Sequence, residues 1–120
     1  IKQRAANIRD SLPFATMYMS TLAGTGTSLS KLFRILGEEH DEYGEIAKEA
    51  EKISRDIETF GMDVHEALEK AAERTPSEDF KELLWGLNHA ITSGGSTRSF
   101  LHERSETLMK DYQRRVESFS

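Results

Sequence analysis

Between positions 43 and 60 the apolar residues Ile46, Ala50, Ile53, Ile57 and Phe60 step by four, three, four and three, with mostly charged side chains between them. That spacing gathers one stripe on one face of an α-helix and scatters it over both faces of a strand. Leu83, Leu84, Leu87 and Ile91 repeat the pattern, and Leu101, Leu108, Tyr112 and Phe119 continue it towards the end. No segment alternates with period two for long enough to read as a strand. The chain is therefore all-α. Its 120 residues suffice for one core, since a domain of this size buries roughly two-thirds of its unfolded surface. With 31% charged and 37% hydrophobic residues, it suits a slim bundle with a large solvated surface.

The breaks between stripes give six helices, at about 13–24, 28–40, 43–60, 64–74, 77–93 and 97–118. Both prolines, Pro13 and Pro76, read as first-turn residues, where the missing N–H would be unpaired anyway. Thr75-Pro76-Ser77-Glu78 has the form of a capping box and predicts a helix start at about 76. Three joints share a pattern of Gly, any residue, then Ser or Asp. They are Gly26-Thr27-Ser28, Gly61-Met62-Asp63 and Gly94-Gly95-Ser96, with first glycines 35 and 33 residues apart. Gly accepts the left-handed position that ends one helix, and the hydroxyl or carboxylate two places on caps the next. Such short turns fold consecutive helices back into a six-helix antiparallel bundle with Gly/Ser/Asp-capped turns. An internal repeat of helix pairs and the common grammar of short turns both explain the pattern. Phe80 and Trp85 are expected in the core.

Charge is unevenly spread. Residues 1–35 hold five basic groups and one acid, 36–82 hold six basic and sixteen acidic, and 83–120 hold five and four. Basic side chains mark both ends, with Lys2, Arg4 and Arg9 at one and Arg114 and Arg115 at the other. This is the bias of cytoplasmic juxtamembrane segments, and equally of ordinary solvated helix faces. The net charge of -5 argues against nucleic acid as a partner. No apolar run approaches the ~20 residues that cross a bilayer. Without cysteine there is no disulfide framework, thiolate zinc site or cysteine nucleophile. A start at Ile1 rather than Met is what a piece of a longer protein would show.

No familiar catalytic constellation is present. The chain lacks a Gly-x-Ser-x-Gly elbow and a phosphate-binding loop, and Gly24-Thr25-Gly26 lacks the third glycine of a dinucleotide fingerprint. The residues three places before His40, His65, His89 and His102 are Gly37, Met62, Gly86 and Ser99, which excludes a Glu-x-x-His di-iron bundle. The acidic run Glu38, Glu39, Asp41, Glu42 and Glu45 has the oxygen ligands a hard divalent ion takes, but such a run more often forms a solvated turn. Accordingly no cofactor, no metal and no enzymatic activity are expected. One alternative is a histidine phosphotransfer domain with His89 as phosphoacceptor, since Leu87-Asn88-His89-Ala90-Ile91-Thr92 faintly echoes that motif. It has Thr92 where that family places a lysine. His89 otherwise reads as partly buried or at a helix end, and His40, His65 and His102 as surface positions.

Leu12-Pro13-Phe14-Ala15, the run from Glu49 to Asp56, Gly61, Ala67-Leu68, Arg74-Thr75-Pro76-Ser77 and Ser93-Gly94-Gly95 form an ordered set. Taken together they resemble the cytoplasmic domain of the inner-membrane platform protein of type II secretion and type IV pilus machines. The likeness is greatest to the archaeal, Tad-like branch, which includes the archaellum platform protein, and covers nearly the whole chain from Leu12. Bacterial relatives often place a proline in the first glycine turn, where this chain has Gly26-Thr27-Ser28. The set does not separate pilus, archaellum and secretion members.

The resemblance implies a scaffold on the cytoplasmic side of the cell membrane, a single helical domain over 1–120 joined to transmembrane helices outside this chain. Its implied partners are a hexameric assembly ATPase and other copies of the platform protein. The ATPase's motion would be coupled to filament assembly. Pro13, Gly26, Glu49, Arg55, Asp56, Gly61, Thr75, Pro76, Gly94 and Gly95 would be structural members of the family pattern, with Arg55 and Asp56 in an ion-pair network between helices. Candidate partner contacts are Lys31 and Arg34, and the acidic Glu38, Glu39, Asp41 and Glu42. The last helix, with Tyr112, Val116 and Phe119 on one stripe, would extend towards the bilayer.

Overall fold

The computed structural model describes residues 2–119. Among them lie seven helices and no strand: α1 (Lys2–Gly24), α2 (Leu29–Gly37), α3 (His40–Tyr43), α4 (Glu45–Glu58), α5 (Val64–Arg74), α6 (Glu78–Thr92) and α7 (Thr97–Ser118). The count differs from the expected six because the region from 37 to 45 breaks twice. α2 ends at Gly37, and Gly44, at φ +50°, separates the single turn of α3 from α4.

Pro13 corrects a sequence rule. It lies buried inside α1 rather than in its first turn. The stripe Ile8, Leu12, Ala15 and Met19, all wholly buried, runs straight across the proline. A proline inside a helix costs ~3 kcal/mol or more through the lost N–H. Burial of Ile8 and Leu12, at ~1.5–3 kcal/mol each, offsets that cost. Pro76 also sits two places before the first helical residue, Glu78. It precedes the cap, which is Ser77, whose Oγ accepts from the Phe80 N–H at 3.1 Å, while Thr75 Oγ1 accepts from the Ser77 N–H at 3.2 Å. Ser77→Ala is expected to lower unfolding free energy by about 1–2 kcal/mol in urea denaturation; an unchanged midpoint would return the cap to Thr75.

The three glycine joints are built alike. Gly26, Gly61 and Gly94 have φ of +80°, +67° and +76°, a region open to glycine at no steric cost. Ser28, Asp63 and Ser96 then cap α2, α5 and α7, accepting from the N–H groups of Lys31, His65 and Ser99. Beyond Gly61 the Met62 N–H returns to the Asp56 carbonyl at 2.8 Å, and the Gly95 N–H to that of Ala90 at 2.8 Å, closing the orphan carbonyls of α4 and α6.

These joints set the arrangement. α1 and α7 run antiparallel along their length, with Phe14 edge-on to Tyr112 (5.3 Å between centroids), Asp10 3.7 Å from Arg115, and Gly24 beside Arg98. α2 and α4 are antiparallel too. Arg34 lies 3.7 Å from Glu58, and a Cβ on Gly37 would meet the Glu51 backbone at 3.0 Å. His65 at the start of α5 bonds Asn88 and Thr92 near the end of α6. Following these pairings, the joints at Gly26, Gly61 and Gly94 share one end of a molecule 46 Å long. The start of α1, the finish of α7 and the Pro76 turn share the other, the start of α1 lining a groove with Pro76 and Glu78; the acidic turn lies between the ends, beside the middle of α1, where Asn7 and Asp10 line a second groove with Asp41 and Glu42 and Tyr18 stacks on Tyr43.

One core joins all the helices, α3 only through the half-buried Tyr43, with Phe33, Leu36, Ile53, Leu68, Phe80 and Leu84 wholly or almost wholly buried. Phe80 meets its expectation. Trp85 does not: it is 42% exposed, because the buried stripe of α6 runs through Phe80, Leu83, Leu84 and Leu87 and turns position 85 outward.

Candidate functional site

Among the described residues the most deeply buried charge network centres on Glu49. Its side chain is 1% exposed, and three cations from three helices surround it: Arg74 Nε at 2.9 Å from α5, Lys52 Nζ at 3.3 Å from α4 itself, and Arg4 Nη2 at 3.9 Å from α1. Arg4 also reaches Glu45, at 3.4 Å. Arg74 Nη2 is buried without a hydrogen-bond partner among the described residues. A carboxylate this dry is stable only when several donors face it, so Glu49 clamps the start of α1 to α4 and α5. A second link joins the same two helices at 3.6 Å, between Lys70 and the buried Asp56. Arg55 instead pairs with Glu51 of its own helix, at 3.5 Å, on the surface. The interhelical network therefore includes Asp56 and leaves Arg55 out.

The six candidate contact residues form one flank rather than one patch. Lys31 and Arg34 are exposed on α2, and Lys31 has no ion pair among the described residues, whereas Arg34 leans on Glu58. Glu38, Asp41 and Glu42 are exposed and Glu39 half-buried where the chain turns through α3. α2 thus runs from the glycine-joint end, past the basic pair, to the acidic turn beside the middle of α1. Beside that turn Tyr43 stacks on Tyr18. Burial, with Glu42, Tyr18 and Glu39 close by, pushes the Tyr43 phenol above its ordinary range, so it stays neutral.

One histidine differs from expectation. His65 is half-buried, with Nδ1 in a hydrogen bond to Asn88 Oδ1 and 3.5 Å from the Thr92 hydroxyl; it ties α5 to α6. His89 is exposed in the last turn of α6, the helix-end alternative of its expectation. His40 and His102 are exposed beside Glu51 and Glu106. Among the described residues no cluster of three His, Asp or Glu is placed to hold a metal, and no helix is long and apolar enough to cross a membrane. Arg4 stood out in the sequence only as a terminal basic group, and Gly37 and Gly86 only by their spacing from histidines, since what matters about each is a neighbour far along the chain.

Against this framework the comparisons give a class. Residues 15–120 match the family model described as type II secretion system protein F, and the chain belongs to that family. It is similar to flagella accessory protein J of Methanocaldococcus jannaschii, 38% identical over 92 residues, 77% of this chain and 16% of that protein. A second, uncharacterized M. jannaschii protein is 29% identical over 118 residues, 98% of this chain and 19% of its own length. Flagella accessory protein J of Methanococcus voltae is 28% identical over 81 residues, 68% of this chain and 14% of that protein. The chain spans less than a fifth of the curated relatives it matches. No solved structure matches it.

Proposed function

We propose that this chain is the non-enzymatic, ATPase-facing scaffold domain of a membrane platform protein in an archaellum, pilus or secretion machine, coupling an assembly ATPase to filament assembly. The observation that carries this reading, together with family membership, is the antiparallel pairing of α1 and α7. It brings the start of the first helix and the finish of the last to one end, and with them Lys2, Arg4, Arg9, Arg114 and Arg115. Basic groups there suit an anionic cytoplasmic leaflet. The opposite end, with its three glycine joints, then faces the cytoplasm and the ATPase. Force passes through such a body because it is stiff, and the Glu49 clamp and short capped joints supply stiffness without an internal switch. Its place is the cytoplasmic side of the cell membrane, with the membrane helices supplied by the longer protein.

On this reading the ATPase, approaching from the glycine-joint end, meets Lys31 and Arg34 before the acidic turn, which lies towards the bilayer. Calorimetric titration of the chain with the ATPase of the same machine tests it. Lys31→Glu with Arg34→Glu is expected to weaken binding by about tenfold or more, and reversal of Glu38, Glu39, Asp41 and Glu42 to Lys by less, because surface charge acts chiefly where the partner docks. The opposite order moves the interface to the acidic turn. Absence of binding by the unaltered chain would refute direct contact between this domain and the ATPase.

A further inference from the structure

The fold treats the acids of α4 and those of α5 and α6 differently. On α4, Glu45, Glu49, Glu51, Asp56 and Glu58 each lie within 3.7 Å of a basic side chain. On α5 and α6, Glu66, Glu69, Glu73, Glu78 and Glu82 are exposed, and none has an ion pair or a side-chain hydrogen bond among the described residues. Lys70 and Arg74, the basic groups of α5, turn away to Asp56 and Glu49 of α4. That leaves the half-buried Lys81 as the one lysine or arginine of α6. The glutamates follow one another at spacings of three and four on α5 and of four on α6, where like charges repel across a helix turn. The fold gains nothing from that repulsion.

Trp85 stands in the middle of these acids. It is 42% exposed, and with Glu78, Glu82 and His89 it forms the outer stripe of α6, spaced four, three and four. Asn88 and Thr92, three and seven places on and therefore on the same side of the helix as Trp85, bond His65 of α5. Antiparallel helices in that register bring Glu69 level with Trp85 and Glu73 level with Glu82. The indole is thus flanked by carboxylates from two helices, and its Nε1 has no hydrogen-bond partner among the described residues. Two other rings, Phe100 and Tyr112, are covered by guanidinium groups of the chain itself, Arg104 at 5.2 Å and Arg115 at 5.8 Å from the ring centroids. Tryptophan is the best partner for such a cation, and among the described residues none covers Trp85.

We propose that this outer face of α5 and α6 docks an arginine-bearing cationic segment of a partner protein, with one guanidinium stacked on Trp85 and neighbouring ones paired with Glu69, Glu73 and Glu82. Charge complementarity selects the occupant. Unpaired carboxylates repel an anionic bilayer and an acidic partner, and they attract a cationic segment. An aromatic centre within a charged ring has the anatomy of an interface hot spot, where Trp and Arg are the enriched residues. Arginine is preferred to lysine because a planar guanidinium both stacks on an indole and pairs bidentately with a carboxylate, whereas an ammonium is a compact point charge. Trp85 lies midway along α6, between the glycine-joint end and the Pro76 turn. The face is therefore separate from the end assigned to the ATPase, and its test does not depend on that assignment.

Trp85 is the only tryptophan of the chain, so its fluorescence reports on this face alone. Amidated hexa-arginine and hexa-lysine, equal in charge, serve as probes. Hexa-arginine is expected to change the emission saturably and to bind about two- to fivefold more tightly than hexa-lysine, the margin of one exposed cation–π contact. By calorimetry, Trp85→Ala is expected to make the two peptides bind alike, with helical circular dichroism unchanged. Glu69→Gln with Glu82→Gln is expected to weaken both about fivefold, as the loss of two exposed ion pairs would. Neutralising Glu38, Glu39, Asp41 and Glu42 to Gln is expected to weaken them less. Equal binding of the two peptides by the unaltered chain, or a greater loss at the acidic turn, would overturn the proposal in favour of unspecific charge attraction. A shift of Trp85 emission on phosphatidylglycerol vesicles would make the face a membrane contact, and a shift on raising the chain's own concentration would make it a contact between copies; either would overturn the cationic partner. A chain that binds neither peptide would overturn the proposal outright.

Discussion

Glu49→Ala is expected to lower the unfolding free energy of the chain by about 3 kcal/mol, because removing one partner of a buried charge network strands the others. For a chain of this size that corresponds to a melting temperature about 12 °C lower. The carboxylate is 1% exposed and holds Arg74 at 2.9 Å and Lys52 at 3.3 Å. After truncation the Arg74 guanidinium, with one nitrogen already buried and unpartnered, loses its principal acceptor. Its side chain is 29% exposed, so water recovers part of the loss, which sets the figure at the lower end of the range for broken buried pairs. Two controls separate charge from packing. Glu49→Gln keeps an acceptor for Arg74 Nε without the charge and is expected to fall between wild type and alanine. Glu49→Leu with Arg74→Met removes both charges and is expected to lie near wild type, since a buried ion pair is often matched by apolar residues of similar volume. An alanine variant within ~0.5 kcal/mol of wild type would show that Lys52, Arg74 and Arg4 find water without cost, and would remove the clamp from the account of stiffness.

The joints and the network were unequally legible in the sequence. The three Gly-x-Ser/Asp joints could be read because each rests on two residues a few places apart, a left-handed glycine and an oxygen that meets the next free N–H. Pro13 was misread for the complementary reason. Its local rule is sound, but Ile8 and Leu12 bury enough apolar surface to extend the helix through it. At Thr75-Pro76-Ser77 two hydroxyls competed for one cap, and the local pattern did not rank them. Glu49 stood out in the sequence only as part of a pattern. Its partners Arg74 and Arg4 lie 25 and 45 residues away, a pairing that only the packing of α1, α4 and α5 creates. The contact flank shared that fate: six residues within twelve positions of the chain lie at successive heights along α2 and the turn beyond it, an order that only the fold assigns.

Gly86→Val is expected to destabilise the chain by about 2 kcal/mol, through overpacking between α6 and α7. A glycine in mid-helix costs ~1 kcal/mol relative to alanine, so its presence at the centre of α6 asks for a reason. A Cβ there would stand 2.5 Å from Cζ and 2.7 Å from Cε1 of Phe100, far inside contact distance. The half-buried Phe100 ring lies under the Arg104 guanidinium, 5.2 Å from its centroid, and packs on the core; it yields only by leaving both. The missing side chain of Gly86 is thus the seat of Phe100 and sets how closely α7, with its pairing to α1, lies against the rest of the bundle. Phe100→Ala empties the seat. In a double-mutant cycle, Gly86→Val with Phe100→Ala is expected to be more stable than the sum of the single changes by about 1–2 kcal/mol, the coupling expected of residues in direct contact. Strict additivity would mean that valine is accommodated by movement of α6 itself, and that the α6–α7 spacing is held elsewhere along the interface.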